Sequence, residues 1–364
     1  MKLSDFSFDL PEELIAQYPP AERGQSRLMV LDRQSRRREH RMVGDLPGLL
    51  EPGSLLVFND SRVRKARLLG RSLNAGTWVE FLLLDKLRPD GSLWRVMCRR
   101  AKRRRPGSRY VFAGTAAGST AGSATDEAAA EIAGEEGEFR LLRFDRPIDD
   151  AWLDRNGHVP LPPYIRREDQ ASDSERYQTV YASRTGSAAA PTAGLHFTRR
   201  LLEALEAAGM ETAFITLHVG PGTFLPVRAE NIEDHQMHRE SYRIDDETAS
   251  RIEEARAAGR RIVAVGTTSL RSLESAWEPG GNNSGDDGRA GKLRRGEGDT
   301  SIFIYPGYTF KAVDQLFTNF HTPLSTLLML AAAFAGRELI LESYGEAVRE
   351  GYRFFSYGDA MLII

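Results

Sequence analysis

Two hydrophobic patterns divide this chain. In one, short apolar runs alternate with stretches whose apolar residues are spaced three and four apart, which is typical of buried strands connected by helices. The apolar runs lie at 27–31, 55–58, 212–219, 261–265 and 315–321. The helical stretches lie at 198–208, 245–258, 266–275, 323–335 and 342–350. Caps support them, since Thr198 precedes the first and Gly209 and Gly259 follow the first two.

The second pattern occupies the region between about residues 62 and 144. Five strand-like runs follow one another there, separated by Gly or Asn turns and without a helical period. They are 62–73, 77–84, 93–98, 109–112 and 138–144. Successive short strands of this kind predict a small antiparallel barrel.

Together the patterns predict the fold class and the domain limits. We predict a three-layer, Rossmann-like α/β domain formed by residues 1–58 and 151–364, with an inserted antiparallel β-barrel domain at 59–150. Within the barrel, residues 113–136 are rich in Gly, Ala, Ser, Thr and Glu and are expected to form a flexible loop. Residues 280–298 are expected to form a second polar, glycine-rich loop.

Composition adds limits on location and covalent chemistry. The chain has 364 residues, 41% of them hydrophobic and 27% charged, which is ordinary for a globular enzyme of two domains. No apolar run approaches the roughly 20 residues that span a bilayer, and residues 1–10 contain no signal-peptide core, so we expect a cytoplasmic protein that contacts no membrane. Cys98 is the only cysteine, which excludes an internal disulfide and a cysteine-based zinc site.

The near-neutral net charge of −2 hides a basic front half. Residues 1–110 contain 23 Lys and Arg against 13 Asp and Glu, a balance of +10, whereas the remainder contains 26 against 38, a balance of −12. The densest basic block consists of Arg99, Arg100, Lys102, Arg103, Arg104 and Arg105. Such a block can attract RNA phosphates, although a solvated charged loop would have the same composition.

Candidate chemistry concentrates between Gly186 and Glu240. Four of the seven histidines lie there, at the ends of predicted elements and among Gly, Pro and Thr. His196 precedes a helix N-terminus, where the dipole lowers imidazole basicity, and His218 ends a predicted strand. A single histidine in such a place is usually structural; four together favour an active site.

Several common site motifs are missing. His235 and His238 have no well-placed third ligand, so we expect no metal site. The chain also has no G-x-G-x-x-G dinucleotide motif after the first strand of the α/β domain, no G-x-x-x-x-G-K-[ST] loop and no G-x-S-x-G elbow. These absences argue against the common nucleotide-dependent enzymes and serine hydrolases.

Longer motifs carry a specific resemblance. The chain contains APTAGLHFT at 190–198, LHVGPGTF at 217–224, HQMHRE at 235–240, VGTTSLRSLES at 265–275, FIYPGY at 303–308, TNFHTPLSTLLML at 318–330 and YRFFSYGDAMLI at 352–363. With the opening DFSFDLPEELIAQYPPAERGQSRLMVLDR and FNDSRVRKARLLG, these blocks resemble the S-adenosylmethionine:tRNA ribosyltransferase-isomerase family of queuosine biosynthesis. They span essentially the whole chain in order.

The resemblance implies an activity and its partners. The ribosyl part of S-adenosylmethionine would be transferred and isomerised onto 7-aminomethyl-7-deazaguanine at a tRNA wobble position, giving epoxyqueuosine and releasing adenine and methionine. S-adenosylmethionine would be a co-substrate, with no cofactor or metal. The basic front half would contact tRNA, and a monomer is expected; which tRNAs are accepted stays open.

Site residues follow from what that reaction needs. The reaction needs a base and an acid, and imidazoles can serve as both near neutral pH. His196 and His218 are therefore the first catalytic candidates and His238 and His321 the alternates, with acid and base not assigned. Asp60, Glu240 and Asp359 could accept hydrogen bonds from the deazaguanine. Thr267, Thr268, Ser269 and Arg271 could hold the ribose or methionine, and Arg271 or Arg353 its carboxylate. The predicted substrate-binding set is completed by Arg62 and Asn319.

Two other classes remain possible from sequence. A conventional methyltransferase would use the same co-substrate but release S-adenosylhomocysteine. A non-catalytic RNA-binding module would explain the arginine block and the barrel, but not the histidines at strand and helix ends.

Overall fold

A computed structural model describes residues 1–112, 126–220, 222, 227–280 and 291–364. Its strands, numbered in chain order, are β1 Arg27–Leu31, β2 Arg38–Met42, β3 Leu55–Asn59, β4 Ser61–Val63, β5 Arg67–Ser72, β6 Trp78–Lys86, β7 Leu93–Cys98, β8 Arg109–Phe112, β9 Ala128–Glu136, β10 Phe139–Phe144, β11 Arg184–Ser187, β12 Glu211–Leu217, β13 Glu240–Ile244, β14 Ile262–Val265, β15 Trp277–Pro279, β16 Gly291–Leu293, β17 Gly296–Thr300, β18 Gln315–Asn319 and β19 Ala360–Ile363. Its helices are α1 Leu46–Leu49, α2 Asp150–Asn156, α3 Asp173–Arg176, α4 Arg199–Ala207, α5 Asp246–Ala257, α6 Thr267–Ala276, α7 Thr326–Ala335 and α8 Arg337–Arg349.

Within these ranges, nine strands form one mixed sheet in the order β17-β13-β12-β3-β14-β18-β19-β1-β2. The central strands β12, β3, β14 and β18 are parallel. On one side β13 is antiparallel to β12; on the other, β19 is antiparallel to β18 and β1 is parallel to β19. The carboxyl ends of the four parallel strands therefore lie at the same edge as the first residues of β13, β19 and β1.

Alternation along the strands explains why both faces of this sheet are covered. In β3, Leu55 and Val57 pack into one core with α5, α6, α7 and α8, whereas Leu56 and Phe58 pack into a second core with α1 and α4. Since neighbouring side chains point to opposite faces, a strand that is apolar throughout needs helices on both sides. The predicted three-layer α/β domain with an inserted antiparallel barrel is confirmed.

The predicted starts of the helices at 198 and 245 are confirmed by their caps, whereas α7 begins at Thr326 and α8 at Arg337 instead of 323 and 342. The Thr198 hydroxyl accepts a hydrogen bond from the Leu201 amide at 3.0 Å, and the Asp245 carboxylate accepts one from the Thr248 amide at 2.9 Å. Gly209 follows α4 with a φ of 87°, a left-handed conformation that favours glycine after a helix. Local sequence therefore decides where these helices begin and end.

The barrel closes through six described strands in the order β10-β7-β6-β5-β8-β9. Its core continues into α2, because Trp152 and Leu153 pack with the barrel interior. The barrel strands begin at Arg67, whereas β4 pairs with β11. The barrel unit thus starts later and ends later than the predicted limits of 59 and 150.

The predicted loop at 113–136 is wrong for its second part, and residues 113–125 lie outside the described residues. Residues 128–136 form β9, which pairs with both β8 and β10. Ala128, Ala130 and Ile132 are buried at alternate positions, a strand period that the low-complexity composition obscured. The predicted loop at 280–298 is likewise wrong where β16 and the start of β17 form, and residues 281–290 are not described.

The barrel has two ends with different surroundings. The chain enters at the start of β5 and leaves at the end of β10, so this end joins the α/β domain. The antiparallel order places the β5–β6, β7–β8 and β9–β10 connections at the opposite end. The basic block at 99–105 lies in the β7–β8 connection, roughly 20 Å from the junction for a strand of six residues.

Among the described helices, none has the length and apolar character needed to cross a membrane.

Candidate active site

Several predicted residues converge at the sheet edge where the parallel strands end. Asp60 follows β3, His218 follows β12, Asn319 ends β18, and Thr267 and Thr268 begin α6 directly after β14. Two more arrive from the oppositely directed strands, since Glu240 begins β13 and Asp359 precedes β19. Carboxyl ends of parallel strands form such ligand-binding edges in α/β proteins, because connecting loops leave side chains and backbone groups free there.

His218 is the best-placed proton acceptor at this edge. The ring is half-buried, and no donor or acceptor among the described residues reaches its Nδ1 atom. Burial lowers the pKa of His218, and Arg64 lowers it further, whereas the Asp60 carboxylate acts in the opposite direction. A neutral imidazole with an unpartnered nitrogen can accept a proton near neutral pH.

Asp60 is fixed beside this histidine by hydroxyl groups. Its carboxylate accepts hydrogen bonds from the Thr216 hydroxyl at 2.6 Å and the Ser183 hydroxyl at 2.5 Å. It is close enough to His218 to favour the charged ring, so it would stabilise the imidazolium formed by proton transfer.

Asn59 ties the strand ends together, and sequence reasoning missed it. Its side-chain oxygen accepts from the amides of Leu217 and Ser61, both at 3.0 Å. Its amide nitrogen donates to the Leu217 carbonyl at 3.0 Å and to the Thr268 hydroxyl at 3.3 Å. The residue before His218 is therefore bonded at both backbone groups. The only signal was an asparagine at a strand end, which is as typical of a turn.

Glu240 and Arg271 form a buried ion pair. Arg271 Nη1 donates to Glu240 Oε2 at 2.5 Å, and the two side chains are 7% and 6% exposed. Glu240 Oε1 also accepts from the amide of Gly220, two residues after His218, at 3.1 Å. The Nη2 of Arg271 has no partner among the described residues. A buried donor of this kind suits a ligand carboxylate, which supports the predicted role of Arg271.

His196 has a different environment. It is 4% exposed, with Nδ1 at 2.9 Å from the Ser26 hydroxyl and Nε2 at 3.0 Å from the side-chain nitrogen of Asn319. Because an amide nitrogen can only donate, Nε2 accepts and the ring proton lies on Nδ1. Burial is the main cause that lowers the pKa of His196 to about 3. A neutral ring with both nitrogens engaged is better suited to positioning than to proton transfer.

The two alternate histidines occupy unlike places. His321 is buried, its Nε2 lies 2.9 Å from the Thr318 hydroxyl, and burial lowers its pKa to about 3. His238 is half-buried beside Gly222, where an added Cβ would lie 2.9 Å from the ring. The described residues contain no group of three or more metal-ligating side chains.

The other predicted substrate-binding residues are divided between backbone support and surface. The Ser269 hydroxyl is fully buried and donates to the Val265 carbonyl at 2.9 Å. The Asp359 carboxylate accepts from the amides of Arg27 and Arg353, both at 2.8 Å, and burial raises its pKa. Arg62 is exposed on β4. Contacts with substrate stay a prediction for these residues, as for the buried Thr267 and the half-buried Thr268.

The basic block is a separate surface at the far end of the barrel. Arg104 is half-buried, and the other members are exposed. Arg140, 2% exposed, supports the block from inside: its guanidinium donates to the carbonyls of Ala101 at 2.7 Å and Arg104 at 2.8 Å. Sequence reasoning did not identify Arg140, because its partners lie more than 30 residues away.

Comparison with known proteins concerns the whole chain. The model of the queuosine biosynthesis protein family matches residues 3–363. The chain belongs to this family. It is 51% identical over 366 residues to the S-adenosylmethionine:tRNA ribosyltransferase-isomerase of Treponema denticola and 50% identical over 364 residues to that of Acetivibrio thermocellus, with all of both chains covered in each case.

A solved structure of the family has the same fold. The crystal structure of S-adenosylmethionine tRNA ribosyltransferase from Thermotoga maritima is 36% identical and superposes with a TM-score of 0.53, covering 99% of this chain and all of the other. The family suggested by the sequence motifs is thereby confirmed.

Proposed function

We propose that this chain is an S-adenosylmethionine:tRNA ribosyltransferase-isomerase of queuosine biosynthesis. Its relatives carry this name over their full length at about 50% identity. The structural observation that supports the activity best is the half-buried His218, whose Nδ1 has no partner in the described part of the chain, beside Asp60 at the carboxyl edge of the parallel strands. The substrate is 7-aminomethyl-7-deazaguanine at the wobble position of tRNA, and the products are epoxyqueuosine-tRNA, adenine and methionine.

His218 serves as the base. The reaction requires removal of a proton from the ribose carbon next to the sulfonium, and the buried Nδ1 atom of His218 has no partner among the described residues that would compete for it. Asp60 then stabilises the protonated ring. His196 instead holds Asn319 and Ser26 in place through its two nitrogens.

Arg271 binds the methionine end of the co-substrate. The Nη2 atom, unpartnered among the residues that the structure describes, would donate to the methionine carboxylate while Nη1 stays paired with Glu240. The backbone N–H groups at the start of α6 lie at the same edge, and Gly266 offers them no side-chain cap. They can therefore donate hydrogen bonds to the ribose hydroxyl oxygens.

The basic block at 99–105 binds the tRNA at a distance from the reaction. Its position, roughly 20 Å from the domain junction, suits a phosphate contact along the anticodon arm and not a contact with the wobble base.

One incubation tests this proposal. The protein is mixed with S-adenosylmethionine and tRNA carrying the aminomethyl-deazaguanine, and adenine release and the mass of the digested wobble nucleoside are measured. Adenine together with a ribosyl-sized mass gain is expected. Release of S-adenosylhomocysteine would favour a methyltransferase, and unchanged S-adenosylmethionine with folded protein would favour an RNA-binding module.

The variants His218→Ala and His196→Ala then distinguish the roles of the two histidines. We expect His218→Ala to lose turnover while S-adenosylmethionine binding persists, and a wild-type rate would remove His218 from the mechanism.

A further inference from the structure

One exposed aromatic residue, Tyr18, has no role assigned in the candidate active site. Tyr18 is 52% exposed, which is unusual for a large aromatic side chain. Its ring is covered on one face by the guanidinium of Arg167, whose central carbon lies 4.4 Å from the ring centroid. The half-exposed ring thus has one face occupied and leaves the other available to a planar ligand.

The ring is held by a rigid support. Arg167 donates two hydrogen bonds, at 2.6 and 2.8 Å, to the carboxylate of Asp173, and its Nε donates to the Gln17 carbonyl at 2.9 Å. Asp173 is 1% exposed and also accepts from the Tyr357 hydroxyl at 2.8 Å. Because Arg167 cannot move without breaking a buried pair, the stacked Arg167–Tyr18 platform is preorganised.

The backbone around Tyr18 is fixed in the same way. Arg353 donates to the Tyr18 carbonyl at 3.2 Å, and Arg176 donates to the carbonyls of Pro20 at 2.6 Å and Ala21 at 3.2 Å. A loop whose carbonyls are bonded to arginines keeps its shape when a ligand arrives.

These arginines also give the platform a positive field. Within the described ranges, Arg23, Arg176 and Arg353 have no carboxylate within 4.0 Å, since their hydrogen bonds go to backbone carbonyls. The field extends to the active-site edge, because Arg23 and Arg353 both lower the pKa of His196.

A small cleft that reaches His196 begins next to Tyr18 in the chain. Its walls include Pro19 and Pro20, which follow Tyr18, together with Arg23, Ser26 and His196. An open aromatic face with positive charge around it matches an unpaired nucleotide, which offers a planar base and an anionic phosphate.

We propose that Tyr18 stacks an unpaired anticodon-loop nucleotide that neighbours the modified wobble base, with Arg167 as the support behind the ring. This inference rests on the proposed function, because it places the wobble base at the edge that contains His218.

Thermodynamic cycles on RNA binding test the stacking. Wild type, Tyr18→Ala and Tyr18→Phe are titrated with a fluorescent anticodon stem–loop and with copies in which one loop nucleotide at a time is abasic. Tyr18→Ala should bind the intact RNA roughly 5- to 150-fold more weakly, the range for one stacked base, while Tyr18→Phe stays near wild type.

The cycle also identifies the partner nucleotide. At one loop position the abasic change and Tyr18→Ala should each weaken binding, and the combination should be no weaker than either alone. A general structural effect of the mutation would add to every abasic change instead. Trp78→Ala is the matched aromatic control, since Trp78 is 61% exposed and lies at the end of the barrel away from the domain junction. Its effect on binding should be additive with that of the abasic change at the same loop position.

Three results would overturn the inference: wild-type affinity in Tyr18→Ala, additivity at every loop position, or a Tyr18→Phe variant as weak as Tyr18→Ala. Adenine release by the wild-type enzyme on tRNA carrying the aminomethyl-deazaguanine is measured in parallel. If wild type releases adenine and the cycles are additive, the stacking inference is wrong and the proposed function stands. If wild type releases no adenine, the proposed function is wrong.

Discussion

Adding one methyl group at Gly186 should displace the proposed base. A Cβ built at this position lies 2.7 Å from Cε1 and 2.8 Å from Nδ1 of His218. Ordinary contact begins at 3.4 Å, so the ring must retreat by about 0.7 Å in Gly186→Ala. Gly186 also has a φ of 158°, which residues with a side chain rarely adopt, so Gly186→Ala strains the backbone as well as displacing the ring.

The expected result is a loss of rate without a loss of fold. A displacement approaching 1 Å at a catalytic group costs on the order of 100-fold in rate, so kcat/KM for adenine release should fall by roughly 10- to 100-fold. The melting temperature should fall by roughly 2 to 12 °C, since this backbone conformation costs a non-glycine residue about 1–3 kcal/mol and each kcal/mol shifts a large domain by about 2–4 °C.

Gly220→Ala provides a matched control in the same site. A Cβ there would lie 3.6 Å from Glu240 Cγ and 3.9 Å from the Arg239 carbonyl oxygen, which is ordinary contact. Its rate should remain within about twofold of wild type. Equal losses in the two variants, or wild-type kcat/KM in Gly186→Ala, would refute the assignment of His218 as the base.

Three further predictions concern charge. In the pH profile of kcat/KM, the midpoint of the acidic limb should lie below the ordinary histidine pKa. Arg64→Gln should move this midpoint to higher pH and Asp60→Asn to lower pH. Shifts in the opposite directions would show that His218 does not set the limb. Because burial lowers the pKa of His321 to about 3, the unfolded chain binds more protons than the folded chain below pH 6.5. The free energy of unfolding should therefore fall by up to about 1.4 kcal/mol per pH unit as the pH drops from 6.5. Urea titrations at pH 7 and pH 5 should show a smaller loss of stability in His321→Gln than in wild type, and an equal loss would contradict this. Replacing exposed arginines in the loop 99–105 by glutamine should weaken tRNA binding and reduce the slope of log K against log salt by about 0.9 per lost phosphate contact, whereas an unchanged slope would exclude this surface.

The sequence by itself determined the features that depend on neighbours along the chain. Thr198 and Asp245 cap their helices because each reaches an amide three residues later, and the continuous apolar run of β3 requires helices on both faces. The long sequence motifs were sufficient to identify the family. The strand β9 was the exception among local features, since a run of Ala, Gly and Glu has a composition that also occurs in loops.

Only the tertiary structure decided which groups are free to react. Asn59 meets Leu217 across 158 positions of the chain, and His196 meets Asn319 across 123. Both His196 and His218 stand at element ends in the sequence, yet one has both nitrogens bonded and the other has a buried nitrogen with no partner among the described residues. Burial and partner geometry set the pKa and availability of a side chain, and these arise from contacts between distant segments, which periodicity and caps do not encode.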